Sequence, residues 1–123
     1  ITGADDLDIA IGLVLERMPA GGVVVCKLGS AGADAVWRSD TGTRRIRADI
    51  PDAPGALVDT VGAGDSLAAG FLAGRLSGLD VADCLALGVA CGTASTRGPG
   101  GVGAQPPRSA AFELAGRVAV RHA

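Results

Sequence analysis

The chain has 123 residues, with 11 Lys and Arg against 13 Asp and Glu, a net charge of −2 and 48% hydrophobic residues. This length suits a single domain, residues 1–123. The slightly negative charge argues against a nucleic-acid partner, because binding to phosphates requires a basic surface. No stretch approaches the run of about 18 apolar residues that a membrane span needs, so no membrane partner is expected.

The cysteine count and the start of the chain give two further expectations. Three cysteines without a C-x-x-C pair predict neither a disulfide framework nor a zinc site, and they favour a reducing cytoplasm. The chain begins at Ile1 within a pattern typical of a continuing element. We therefore expect it to be a piece of a longer protein, which by itself would self-associate or be marginally stable.

The first half of the chain predicts one helix followed by strands. Apolar residues at helical spacing predict a helix from about Asp5 to Met18. The unbroken apolar run Val23–Cys26 predicts a strand with cover on both faces and neighbours on both edges. Two more strands are expected at Ala33–Arg38 and Thr43–Ala48, and an irregular, proline-marked segment follows.

The second half predicts three helices, at about Gly62–Leu76, Val81–Ser95 and Ser109–Val120. A Gly- and Pro-rich loop, Arg97–Pro107, separates the last two. The order of one helix, then strands, then helices indicates an α/β layer structure.

Residues 59–66, Asp-Thr-Val-Gly-Ala-Gly-Asp-Ser, carry the densest chemical signal. Gly62, Ala63 and Gly64 can present unobstructed backbone N–H groups at a helix N-terminus, which is an anion site suited to phosphate. Asp65 would repel a bound phosphate, but it fits a base that takes a proton from a hydroxyl attacking that phosphate. The alternative is that Asp65 only caps the helix and the glycines only form a tight turn.

This octet resembles the D-T-x-G-A-G-D signature of the ribokinase-like (PfkB) carbohydrate kinases. Ile1-Thr2-Gly3 is similar to the "LTG" before a helix in that family, and Val25–Gly32 is similar to its strand and "K/T-L-G-x-x-G" nucleotide turn. Leu87–Arg97 resembles the family's helix ending in "TR", and Gly103–Pro106 its "GAQP". The resemblance covers nearly all of the chain. It corresponds to the C-terminal part of a three-layer αβα sandwich, without the N-terminal half and the lid.

The resemblance implies a role for each matching residue. Asp65 would be the catalytic base, and the N–H groups of Gly62, Ala63 and Gly64 would form the anion hole. Asp59 and the Val61 carbonyl would belong to a monovalent-cation site, with K⁺ as the candidate ion, and Mg²⁺ would accompany ATP. The nucleotide turn would hold ATP through Lys27, Gly29, Ser30 and Gly32. An exposed lysine at the end of a strand explains Lys27 equally well.

A stripe of small residues on the predicted helix Val81–Ser95 has two interpretations. Its members lie at helical spacing on one face: Cys84, Gly88, Cys91, Gly92 and Ser95. Such a face admits either an adenine ring, which would make Gly88 and Cys91 nucleotide contacts, or the backbone of another helix. Helix packing is the favoured interpretation.

The implied activity is ATP-dependent phosphorylation of a hydroxymethyl group on a small sugar or sugar acid, as in ribokinase, fructokinase and ketodeoxygluconate kinase. A nucleoside kinase of the same superfamily and a truncated, inactive nucleotide-binding remnant are the alternatives. The expected partners are a sugar and ATP, in the cytoplasm, and the resemblance is compatible with a homodimer.

Overall fold

The computed structural model describes residues 3–53, 57, 62–97 and 107–122. In this part of the chain an antiparallel sheet lies between helices, and one turn of 3₁₀ helix at Gly29–Ala31 follows the first strand. The elements in chain order are α1 (Gly3–Arg17), β1 (Val23–Lys27), β2 (Ala33–Ser39), β3 (Gly42–Ala48), α2 (Ala63–Leu76), α3 (Val81–Ser95), α4 (Arg108–Ala115) and β4 (Val120–His122).

The four strands form one sheet in the order β1-β2-β3-β4. Lys27 pairs with Ala33, Ala33 with Ala48, and Ala48 with Val120, so these four residues form a single row across the sheet. Directly opposed residues point to the same face of a sheet. The row therefore places the Lys27 side chain on the same face as the small, buried residues Ala33 and Ala48.

Helices cover both faces of the sheet, as expected for three layers. On one face, Ile11 and Leu15 of α1 form a cluster with Val36, and Val24 packs against it. On the other face, Phe71 of α2 and the α3 residues Leu85 and Val89 join a larger cluster that takes in β2 and β3. The predicted cover on both faces of β1 is confirmed.

The position of β1 in the sheet differs from the expectation. Among the described residues it pairs only with β2, so it is an edge strand with one neighbour rather than two. Its four apolar residues are half-buried rather than buried. An unbroken apolar run indicates that both faces of a strand are covered by other elements, but it carries no information about backbone pairing along the edges of that strand.

The last predicted helix, Ser109–Val120, is wrong in its second half. The helix ends at Ala115, and residues from Val120 onward form β4 against β3. The Asp49 N–H donates to the Ala119 carbonyl at 3.0 Å, and Arg121 pairs with Asp49 at 2.6 Å. Pairing with β3 supplies backbone hydrogen bonds that sequence periodicity cannot reveal, and it overrides the helical spacing.

Helices α2 and α3 pack so closely that glycine is needed at their points of contact. A Cβ added at Gly74 would lie 2.9 Å from Cys84 Sγ, and one at Gly88 would lie 2.8 Å from the Leu67 carbonyl oxygen. Burial raises the pKa of the Cys91 thiol, as expected for a neutral packing group. The small-residue stripe of α3 therefore packs against α2, as the favoured interpretation expects, and its member Gly92 also lines a cavity.

A buried ion cluster joins the strands on the α1 side. The Asp34 side chain is fully buried and accepts hydrogen bonds from Arg47 Nε at 2.6 Å and Arg45 Nε at 2.8 Å. Arg45 also pairs with Asp8 of α1 at 2.6 Å. Burial raises the pKa of Asp34, but the hydrogen bonds from Arg47 and Arg45 lower it by more, so its net pKa lies below the ordinary value. The cluster thus fixes the register of β2 and β3 and the position of α1.

In the described part of the chain, none of the helices has the length and apolar character needed to cross a bilayer.

Candidate functional site

The N-terminus of α2 has the geometry of an anion site. Gly62 precedes the helix with φ +77°, a left-handed conformation that favours glycine, and its carbonyl accepts from the Ser66 N–H at 2.9 Å. The first N–H groups of a helix have no acceptor within the helix and carry the positive end of its dipole. Ala63 and Gly64 therefore offer their N–H groups to an outside acceptor.

Asp65 occupies the third position of α2 and is exposed. Among the described residues it forms neither an ion pair nor a side-chain hydrogen bond, so it does not cap its own helix. A carboxylate in the first turn that is open to solvent can reach a bound molecule and accept a proton from it.

The turn after β1 ends beside the sheet. The Leu28 N–H donates to the Gly32 carbonyl at 2.9 Å, and this bond closes the turn around the 3₁₀ helix. Gly32 has φ +92°, and a side chain there would overlap the carbonyl oxygen of Ala48. Glycine at this position therefore lets the turn pack directly against the end of β3.

A cavity of about 490 Å³ lies between this turn and the α2 N-terminus. It brings together four residues predicted for the nucleotide turn and two predicted for the anion hole. Its described lining is Lys27, Gly29, Ser30, Gly32, Ile50, Leu57, Ala63, Gly64, Leu67, Val89, Gly92, Thr93, Thr96 and Arg97. Two parts of the sequence more than 30 residues apart thus meet at one site.

Other predicted residues lie elsewhere or fall outside the description. Gly88 and Cys91 do not line the cavity; they face Leu67 and Gly70 of α2. Asp59 and Val61, the candidate cation ligands, lie outside the described residues.

The end of α3 and the two residues after it contribute lining residues to which the sequence analysis assigned no role in a site. Thr93, Thr96 and Arg97 line the cavity, and the Thr96 hydroxyl donates to the Thr93 carbonyl at 2.6 Å. Their spacing of three and four residues places them on one helix face. This spacing was the available signal, but it indicates a site only once β1 and α2 are known to lie beside it.

Two cationic side chains reach the cavity. Lys27 Nζ contacts Gly64 so closely that a Cβ on Gly64 would not fit. Arg97 Nε is buried and has no hydrogen-bond partner among the described residues. With the α2 N-terminus, these groups give the cavity a positive potential suited to a polyanion.

Comparison with known proteins gives a consistent relationship. A family model described as "pfkB family carbohydrate kinase" matches residues 2–107. Acarbose 7(IV)-phosphotransferase of Actinoplanes sp. is 36% identical over 91 residues, which are 74% of this chain and 29% of that protein.

Two solved structures match with the same architecture. Phosphofructokinase-2 from Escherichia coli in complex with potassium has a TM-score of 0.71 at 25% identity over 94% of this chain. Ribokinase of Arabidopsis thaliana complexed with ribose and ATP has a TM-score of 0.66 at 28% identity over 76% of this chain. The chain spans 34% and 28% of those two proteins. The expected ribokinase-like α/β fold is confirmed.

Proposed function

We propose that this chain, which belongs to the pfkB family of carbohydrate kinases, supplies the phosphoryl-transfer site of an ATP-dependent kinase whose acceptor is a hydroxymethyl group on a small sugar or sugar acid. One observation supports the proposal above all. The glycine-flanked N–H groups at the start of α2 open into the same cavity as the turn after β1. Phosphoryl transfer depends on positioning and on stabilising charge, and this arrangement offers both.

In the proposed reaction, Asp65 accepts the proton of the acceptor hydroxyl as its oxygen attacks the terminal phosphorus of ATP. The new bond joins that oxygen to phosphorus, and the bond from phosphorus to the bridging oxygen of ADP breaks. The N–H groups of Ala63 and Gly64 donate hydrogen bonds to the transferring phosphoryl group, whose charge is spread over its oxygens. The Gly62 N–H adds a third donor to this anion hole.

The cavity fits ATP in size and charge. Its volume of about 490 Å³ lies within the range of about 300–1,000 Å³ for small-molecule sites. The turn residues Gly29, Ser30 and Gly32 would hold the nucleotide along one wall. When bound with ATP, Mg²⁺ neutralises charge on the phosphates. K⁺ binding near Asp59 and Val61 is proposed by analogy, since the phosphofructokinase-2 relative was solved with potassium.

The family description, carbohydrate kinase, supports a carbohydrate acceptor, and two relatives are named for acarbose and for a complex with ribose. A nucleoside stays the second candidate, because a nucleoside kinase of Methanocaldococcus jannaschii matches with a TM-score of 0.74 at 26% identity over 86% of this chain. A cytoplasmic location suits a kinase that needs ATP. It also suits the three cysteines, at positions 26, 84 and 91, because they are free thiols and the cytoplasm is reducing.

The test compares two aspartates in equivalent positions. Asp65 is the third residue of α2, and Asp83 is the third residue of α3; both are exposed. In the complete protein that carries this chain, Asp65→Asn should lower kcat by about 10²–10⁴-fold, the usual contribution of general base catalysis. Asp83→Asn should leave kcat within about twofold, because Asp83 lies at the start of α3, away from the α2 N-terminus, and the α3 residues that line the cavity are at the other end of that helix.

The assay is ATP-dependent phosphorylation of a panel of small sugars, sugar acids and nucleosides. Turnover with a sugar and not with a nucleoside would identify the acceptor class. Full turnover by Asp65→Asn would remove Asp65 from the mechanism. A wild-type protein that binds ATP and phosphorylates nothing on the panel would favour the inactive remnant.

A further inference from the structure

The contact between Lys27 and the start of α2 is not required by the fold. Lys27 ends β1, at the edge of the sheet, and its ammonium lies against Gly64. It is exposed, and among the described residues it has neither an ion-pair partner nor a hydrogen-bond acceptor. It is also the only lysine in the chain. Burial of apolar surface therefore does not explain its position.

At this contact the helix dipole repels the ammonium, while the Asp65 carboxylate of the same first turn attracts it. The N-terminus of a helix carries about half a positive charge, and an ammonium beside it is repelled. Cations stabilise the opposite end of a helix, where Arg75 lies in α2. A cation held at the N-terminal end becomes favourable when an anion accepts hydrogen bonds from both the ammonium and the helix N–H groups.

A second observation indicates an anion in the same cavity. Arg97 Nε is buried from solvent, lines the cavity, and finds no acceptor among the described residues. Buried polar groups in proteins nearly always have a hydrogen-bond partner. The neighbouring Thr96 hydroxyl already donates to the Thr93 carbonyl. Arg97 thus places a guanidinium charge at the cavity wall, where a polyanion can pair with it.

We propose that Lys27 is a catalytic residue of the phosphoryl transfer, and that Arg97 binds the remaining phosphates of the same donor from the α3 side of the cavity. This inference rests on the proposed function. The Lys27 ammonium donates hydrogen bonds to oxygens of the phosphoryl group as it leaves ADP for the acceptor, and it transfers no proton. Lysine suits this task because its ammonium is a compact charge on a flexible stem that follows a moving group.

The position of the ammonium against Gly64 explains why it acts on the transferred group. Gly64 is the second residue of α2, one residue before the proposed base Asp65. A phosphoryl group bound by the Gly64 N–H would lie within reach of Lys27. Negative charge develops on the bridging oxygen as its bond to phosphorus breaks, so a cation beside the transferring group stabilises the transition state more than the bound substrate.

The test uses three variants of the complete protein. Lys27→Met removes the charge and keeps most of the stem, Lys27→Arg restores the charge, and Arg17→Met removes an exposed charge at the end of α1 as a control. Lys27→Met should lower kcat by about 10²–10³-fold, the cost of losing one transition-state donor. In Lys27→Met the KM for ATP should change less than about threefold. Lys27→Arg should recover at least about tenfold of the lost kcat, and Arg17→Met should match the wild type.

Two binding measurements separate this inference from the proposed function. Calorimetry with inorganic tripolyphosphate tests the anion contact without a sugar, and calorimetry with ADP and aluminium fluoride tests the transition-state contact. Lys27→Met should weaken the aluminium fluoride complex by about 10²-fold and ADP alone by less than about threefold. Arg97→Met should weaken tripolyphosphate binding.

The outcomes are distinct. A wild-type protein that phosphorylates no acceptor but binds tripolyphosphate in a manner that depends on Arg97 would refute the proposed function and retain the anion contact of Arg97. A Lys27→Met protein with wild-type kcat would overturn the catalytic role, and so would a change confined to the KM for ATP. Unchanged tripolyphosphate binding in Arg97→Met would overturn the role of Arg97.

Discussion

The substitution Gly88→Ala tests how closely α2 and α3 pack. The added Cβ would lie 2.8 Å from the Leu67 carbonyl oxygen, 3.3 Å from the Phe71 nitrogen and 3.4 Å from Phe71 Cβ. The first contact is several tenths of an ångström below ordinary van der Waals distance, and the atom it meets is backbone, which cannot rotate away. The two helices must therefore separate.

The magnitude follows from two opposing terms. Overpacking in a core costs about 1–3 kcal/mol, while alanine is favoured over glycine in a helix by about 1 kcal/mol. We expect Gly88→Ala to lower the free energy of unfolding by up to about 2 kcal/mol. Gly12→Ala in α1 is the matched control, because nothing lies within 4 Å of its added Cβ. Gly12→Ala should raise stability by about 0.5–1 kcal/mol.

The assay is urea unfolding of the complete protein, read as the shift of the midpoint, together with the KM for ATP. Gly88→Ala should unfold at lower urea than the wild type and Gly12→Ala at higher urea, with the KM for ATP unchanged in both. A Gly88→Ala protein as stable as Gly12→Ala would refute the packing argument. A raised KM for ATP at unchanged stability would instead place Gly88 against the nucleotide, the role that the family resemblance implied.

Two further substitutions test the ion cluster and the turn. Asp34→Asn should lower the free energy of unfolding at pH 7 by an amount toward the lower end of about 3–5 kcal/mol, the usual loss when a buried ion pair is broken. The loss is at the lower end because the side chains of Arg45 and Arg47 are 25% and 31% exposed, so water can solvate the two guanidinium groups. The pKa of Asp34 is lowered in the folded state, so its contribution is present above the unfolded-state pKa of about 3.9 and is lost as the pH falls through the folded-state value. Urea midpoints measured from pH 6 to pH 2 should therefore fall more for the wild type than for Asp34→Asn, and parallel curves would contradict this assignment. Gly32→Ala should lower the free energy of unfolding by about 1–3 kcal/mol, because Gly32 has a positive φ that side chains rarely adopt. It should also raise the KM for ATP, because the added side chain would push the turn away from Ala48. Wild-type stability and a wild-type KM would show that the turn adapts.

The regular elements could be predicted from the sequence to within a residue or two for α1, the first three strands, α2 and α3. The reason is local: apolar periodicity, glycine pairs and helix-starting residues act over a few positions. The start of α2 was identified in the same way, because glycines followed by an acidic residue in a first turn form a local pattern. The residues alone suggested both a phosphate site with a base and a plain helix start, and the resemblance to a family favoured the first.

The remaining features depend on contacts between distant parts of the chain. β4 forms only because residues near position 120 pair with β3, and no local pattern carries that information. The edge position of β1 is likewise a matter of backbone pairing. The lining residues Thr93, Thr96 and Arg97 become part of a site only because the end of α3 reaches the turn after β1. The position of the Lys27 ammonium against Gly64 is likewise a contact between distant parts of the chain.

The helix packing and the anion site depend on the same absence of side chains. At Gly92, an added Cβ would lie 2.9 Å from the carbonyl oxygen of Ala63, the first residue of α2. At Gly64, a side chain would displace the Lys27 ammonium. The start of α2 is therefore held backbone-close by α3, while on its other side Gly64 leaves room for the Lys27 ammonium. Close backbone packing suits a transition-state site, because a shift of about 1 Å in a catalytic group can cost about 10²-fold in rate. Gly92 thus positions the proposed anion hole, and Gly64 keeps it open to a cation.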